Sequence, residues 1–221
     1  MNRNDICVYC GSSENLTDEH APPKLIFPKP RPSNLITVKA CVDCNAAGSK
    51  DAEYFRLCPC LNPEARRSIA AAATTPCVRR SLDRPEADGF LKAILAAMEP
   101  DGRKIAFTVE LKRLHAVVER TVQCLYLHQT GMRLDPQTHE VFAVGEDYLV
   151  QLGAEFARKF KRDFALPLAQ LTPNTIGHDA FAYAAIHTCV QFVSVWGLLF
   201  YGSVAFVALT GPRKRPVAKP A

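Results

Sequence analysis

Two C-x-x-C pairs near the N-terminus constrain this chain more than anything else in it. Cys7-Val8-Tyr9-Cys10 opens the segment and Cys41-Val42-Asp43-Cys44 nearly closes it. Each pair forms a tight knuckle that aims two thiolates at one point. Two such knuckles have the arithmetic of one tetrahedral zinc site, with sulfur about 2.3 Å from the metal. A fold that satisfies this must bring residue 7 beside residue 44 and close everything between them into one loop. Inside that loop lies Thr17-Asp18-Glu19-His20-Ala21-Pro22-Pro23-Lys24, and Asn45 directly follows the last cysteine of the pairs.

The metal reading depends on the redox setting. The chain has nine cysteines, an odd number. Met1-Asn2-Arg3-Asn4-Asp5 does not open a secretory signal, so a cytoplasmic location is expected. In a reducing compartment paired C-x-x-C motifs read as metal ligands rather than disulfides. Cys58, Cys60, Cys77, Cys124 and Cys189 sit mostly among apolar or alanine-rich neighbours and read as structural. A length of 221 residues, 48% hydrophobic and 22% charged, suits a globular domain with a small appended module. The net charge of +5 permits a nucleic-acid partner without demanding one.

In chain order, residues 5 to 10 suggest a short strand into the first knuckle. Pro22, Pro23, Pro28, Pro30 and Pro32 make residues 22 to 34 a loop, because proline removes a donor and fixes φ. Leu35-Ile36-Thr37-Val38 is a strand by its β-branched content, and a helix follows from Asn45 to about Leu57. Further helices are expected over Glu64 to Ala73, Pro85 to Met98, Leu111 to Gln129 and Tyr148 to Phe160. That over Leu111 to Gln129 carries the clearest three-four apolar period, with Gly131 as its stop. Lys104 to Val109 and Val141 to Val144 read as strands.

Thr188 to Thr210 carries no charge and has about the length that a bilayer-spanning helix needs. Its β-branched residues, with Gly197 and Gly202 around a central Leu-Leu-Phe-Tyr, favour two buried strands instead, Cys189 to Val195 and Ser203 to Leu209. The Pro- and Lys/Arg-rich tail, 212–221, reads as disordered.

Taken together, Cys7-x-x-Cys10, Glu19-His20 with Pro22 and Pro23 close behind, Asn34 before a strand, and Cys41-x-x-Cys44-Asn45 resemble an HNH endonuclease over roughly residues 5 to 55. Cys124 to Gly131 and Phe200-Tyr201-Gly202 resemble stretches of bacterial proteins that carry that domain. The resemblance implies a ββα-metal module over residues 1–60 with a structural zinc, a mostly helical accessory region over 61–211 with a few short strands, and an α+β class overall. It also implies roles. His20 is the general base, Glu19 and Asn45 ligate a catalytic Mg2+ or Mn2+, and Asn34 holds the His20 loop through backbone hydrogen bonds. Glu19 stands where the family usually has aspartate, so Asp18 is an alternative ligand. The implied activity is hydrolysis of DNA, with RNA as an alternative substrate and a homodimer compatible with the pattern.

A neutral histidine takes a proton from water near pH 7, and a hard divalent ion accepts oxygen donors and phosphate. Those two needs match the enclosed residue types. The competing reading is a zinc-ribbon-like module that binds nucleic acid or protein without catalysis, for which the four cysteines suffice. A membrane-tethered form of either is a third reading. His115, His128, His139, His178 and His187 have no paired ligand pattern and read as packing or surface residues. Lys24, Lys29 and Arg31 are phosphate contacts or solvated charges, with nothing to separate the two.

Overall fold

The protein is described from a computed structural model covering residues 5–61, 64–83, 98–100, 105–107, 109–145 and 153–213. It is a mixed α/β structure. Strands β1 (Leu16–Ala21) and β2 (Ile36–Cys41) form an antiparallel pair in which Glu19 lies opposite Val38 and His20 opposite Thr37. Helix α1 (Val42–Ala47) starts as soon as β2 ends, and α2 (Ser49–Leu61) follows after Gly48. The single expected helix from Asn45 is therefore two, beginning three residues earlier at Val42, right behind Cys41. Residues 5 to 10 are turns rather than a strand. They are tied to β2 by the Val8 N–H donating to the Lys39 carbonyl at 2.8 Å.

Beyond residue 63, α3 (Ile69–Leu82) runs later and further than expected, passing through Pro76. Short strands β3 (Met98–Pro100) and β4 (Ile105–Phe107) pair with each other. The helix expected over residues 85 to 98 lies almost wholly outside the described residues. Helix α4 (Leu111–Thr130) matches its expectation to within a residue. Gly131 ends it in the left-handed region at φ +73°, where a Cβ would be strained.

The C-terminal third departs most from a mostly helical expectation. Strand β5 (His139–Gly145) and the short helices α5 (Ala154–Phe160) and α6 (Leu166–Ala169) precede β6 (Asn174–Ile176), β7 (Phe181–His187), β8 (Ser194–Phe200) and β9 (Val204–Pro212). Together β5 to β9 make one five-stranded antiparallel sheet, in the order β5-β9-β8-β7-β6. The uncharged stretch is thus a hairpin, β8 and β9, preceded by an exposed turn that carries Cys189. No helix among the described residues is long and apolar enough to cross a membrane.

The sheet explains that stretch's composition. In β8 Ser194, Trp196, Leu198 and Phe200 are buried and the residues between them less so, the period-two pattern of a strand with one face on the core. The buried hydroxyls of Ser194 in β8 and Thr210 in β9 satisfy each other, lying 2.6 Å apart, and the Trp196 ring N–H donates to Ser194. Phe55 of α2 meets Phe200 edge-on at 4.7 Å, and the buried stripe of α4, including Val118, Val122 and Leu125, joins the same core. Cys7, Val8, Val38 and Ala40 belong to it too, so the knuckle segment and the sheet share one apolar interior.

The proline loop is also held by the sheet. The buried Tyr201 hydroxyl donates to the Ile26 carbonyl at 2.7 Å. Phe27 and Pro32 pack so close to Gly177 that a Cβ there would come within 2.9 Å of each. These contacts fix where the loop returns to β2, and hence where Lys24 sits.

Candidate metal centre and adjoining cleft

Folding β1 against β2 and starting α1 at Cys41 brings Cys7, Cys10, Cys41 and Cys44 together, their sulfurs all within 4.8 Å of one another. The Cys10 and Cys41 sulfurs are 3.7 Å apart. A tetrahedron with bonds of about 2.3 Å has edges of about 3.8 Å, so the cluster has the dimensions to hold a metal ion. Burial raises the Cys7 thiol, but hydrogen bonds from the backbone at Cys10, Cys41 and Tyr9 outweigh it and bring it down to about 7. Burial and the neighbouring Cys41 and Cys10 thiols push Cys44 well up. The bare cluster thus ionises Cys7 readily and resists ionising Cys10 and Cys44, a charge problem that a bound dication would relieve.

Beside the cluster is a cleft of about 200 Å3 whose lining includes Asp18, Glu19, His20, Lys24, Asn45 and Arg120. Alternation along β1 puts Thr17 and Glu19 on one face and Asp18 and His20 on the other. Glu19 and His20 both line the cleft although they lie on opposite faces of β1, near its end at Ala21. Burial, with Lys24 nearby, lowers the His20 pKa, so its imidazole is neutral at neutral pH.

Asn45 is pinned to β1. Its amide nitrogen donates to the Thr17 hydroxyl at 3.0 Å and to the Asp18 carbonyl at 3.2 Å. A backbone carbonyl only accepts, so that geometry turns Nδ2 to the strand and leaves Oδ1 as the atom an ion could take. Glu19 is an oxygen donor of the kind a hard divalent ion takes, but it already has partners. Its Oε1 accepts from the Tyr9 hydroxyl at 2.6 Å and from Arg120 Nη2 at 3.2 Å. The donor set therefore suits a divalent ion in type, while the negative charge of Glu19 is already paired.

Two other candidates are engaged differently, Asp18 at the edge of the cleft and Asn34 away from it. Asp18 is 59% exposed and paired with Lys39 at 2.7 Å, a bond that holds its carboxyl below the ordinary value. Asn34 donates to the Thr175 carbonyl of β6 at 3.4 Å instead of bracing the His20 loop, because the proline loop is moored to the sheet. Of the remaining histidines, His115 meets Phe206 edge-on, His187 packs against Trp196 and bonds Gln129, and His139 stacks near Phe192. Asp179 caps α3, its carboxylate accepting from the Ile69 and Ala70 N–H groups.

Sequence reasoning missed Arg120, Tyr9 and Thr17. The only trace of Arg120 was its place seven residues after Arg113, on the border of the α4 apolar stripe. Arg113 reaches Asp51 of α2 in the same way. No protein-family model, curated protein or solved structure matches this chain.

Proposed function

We propose that this chain is a metal-dependent endonuclease of the HNH kind that hydrolyses phosphodiester bonds in DNA, with zinc in the four-cysteine cluster as a structural ion. The observation that carries the reading is the shared cleft. His20 and Glu19 from β1 and Asn45 from α1 line it together, next to Lys24 and Arg120. A strand pair followed directly by a helix, with four cysteine sulfurs gathered beside it, is compatible with a ββα-metal site of the kind that carries a structural zinc.

In this reading His20, neutral for the reason given above, takes the proton of the attacking water. Lys24 and Arg120 offer positive charge to the phosphate, and Arg120 presents planar guanidinium donors suited to it. Tyr9 and Thr17 keep Glu19 and Asn45 in place. Glu19 and Asn45 would hold the Mg2+ or Mn2+, which when bound would polarise the phosphate and stabilise the leaving oxygen.

A second reading has an observation of its own. The ion pair between Glu19 and Arg120 favours a zinc-stabilised module that binds nucleic acid or a protein without cleaving. A plasmid-nicking assay with Mg2+ or Mn2+ separates them. Nicking by the wild type that falls at least about a hundredfold in His20→Ala, with zinc content unchanged, supports the nuclease. Equal activity in the two proteins, or none in either, rejects it.

A further inference from the structure

Arg120 reaches the cleft from α4, outside the segment that carries every motif. Its Nη2 donates to Glu19 Oε1 at 3.2 Å and to the Cys44 carbonyl at 2.8 Å, and its Cζ lies 3.7 Å from the centre of the Tyr9 ring. Tyr9 in turn donates to the same Glu19 oxygen. The side chains are 23% and 13% exposed, so solvent screens the pair only in part.

Gly48 makes room for this arrangement. A Cβ there would lie 2.5 Å from Arg120 Nε and 2.8 Å from Cζ. The Gly48 φ of −85° is open to any residue, so what the position requires is space rather than backbone freedom. The far end of an arginine can yield, so an alanine at 48 moves the guanidinium without breaking the helix pair.

The charges of the cleft then sum in a particular way. Asp18 is paired with Lys39, Glu19 with Arg120, Asn45 is neutral, and Lys24 adds a positive charge. Nothing negative is left over to attract a free dication. Cations of the magnesium type are commonly held by one or two carboxylates together with the substrate's phosphate. Here the phosphate would bring the missing charge and offer the guanidinium a new partner.

Building on the phosphodiester reading of the cleft, we propose that Arg120 is a built-in counter-ion of Glu19 that suppresses divalent-cation binding until a nucleic-acid phosphate enters. Cation and phosphate binding are therefore coupled, and each tightens the other by the same factor.

The test is a Mn2+ titration, read by the paramagnetic resonance of free ion, on the zinc-loaded full-length protein. It is run with and without a short DNA duplex carrying phosphorothioate linkages. The wild type binds Mn2+ weakly alone and at least about tenfold more tightly with the duplex. Arg120→Gln and Gly48→Ala each bind Mn2+ at least about tenfold more tightly than the wild type without DNA, and adding Glu19→Gln removes that gain. Gly48→Ala retains every charge, so it reports even if Arg120→Gln fails to fold. Mn2+ affinity in Gly48→Ala that equals or falls below the wild type overturns the proposal, as does tight binding by the wild type alone. Tighter Mn2+ in the variants with no nicking by any of them upholds the counter-ion and rejects the nuclease. Nicking by the wild type with unaltered Mn2+ affinity in the variants does the reverse.

Discussion

Tyr201→Phe removes one oxygen atom and isolates the tether between the proline loop and the sheet. The Tyr201 hydroxyl is buried and donates to the Ile26 carbonyl at 2.7 Å, and Ile26 is itself fully buried. A neutral hydrogen bond of this kind contributes about 1 kcal/mol net, and a carbonyl stranded without a partner adds about 1–3 kcal/mol of cost. No water-filled route replaces it cheaply at such burial, so a loss of about 2 kcal/mol is expected. Phenylalanine keeps the ring and leaves the left-handed backbone at Tyr201 (φ 51°) as it was, so packing terms nearly cancel. For a chain of this size the melting temperature should fall by about 4–8 °C.

The matched control is Asn34→Ala, which cuts a second bond between the loop and the sheet. That bond is long, at 3.4 Å, and exposed. Its loss should stay within about 0.5 kcal/mol. Urea unfolding of both variants measures the difference. A Tyr201→Phe protein within about 0.3 kcal/mol of wild type, or an Asn34→Ala protein hit as hard, refutes the assignment of the loop's anchorage to the buried bond.

Two further outcomes follow from the same structure. Asp179→Ala should cost about 1–2 kcal/mol at pH 7, since it strips two N–H groups of α3 of their acceptor. Burial raises the Asp179 carboxyl, but hydrogen bonds from Ser68, Ala70 and Ile69 outweigh it and hold the pKa below the ordinary value. The stabilisation is therefore complete above the unfolded value of about 3.9 and lost as pH falls through the folded one. The gap between wild type and variant should close below about pH 4, and a gap that persists at pH 2 contradicts the cap. Cys41→Ser should lower zinc content and destabilise the β1–β2–α1 segment by several kcal/mol, about the scale of losing one ligand from a site that contributes of order 10 kcal/mol. Unchanged zinc stoichiometry counts against Cys41 as a ligand.

Much of this was readable from residues alone, for reasons that differ by element. The four cysteines were legible as one cluster because each C-x-x-C pair fixes two sulfurs locally and two such pairs complete a tetrahedral set. Helix α4 was legible because Leu114, Val118, Val122 and Leu125 repeat with the helical period and Gly131 supplies a stop of known conformation. Strand β7 was missed because Phe181-Ala182-Tyr183-Ala184-Ala185 carries little β-branching and has alanines on the face opposite its aromatics, so its strand state comes from pairing with β8. Helix α3 runs past Ala73, its expected end, and carries Pro76 in its interior.

At the site the divide is between contiguous and distant partners. Glu19, His20 and Asn45 were singled out because they sit within one short stretch with the cysteine pairs, and they line one cleft. Arg120, Tyr201 and Thr175 act across 101, 175 and 141 residues of chain, and nothing in their local sequence announces the partner. Asn34 illustrates the same limit from the other side. Its place before β2 was read correctly, whereas its hydrogen bond was set by the sheet.

Zinc K-edge absorption on the purified full-length protein tests most directly the central claim, that one zinc ion held by Cys7, Cys10, Cys41 and Cys44 sets the loop, the cleft and the placement of His20. One zinc per chain with four sulfur neighbours at about 2.3 Å is the expected result. A protein that folds without zinc, or a zinc bound through nitrogen or oxygen donors, would contradict it.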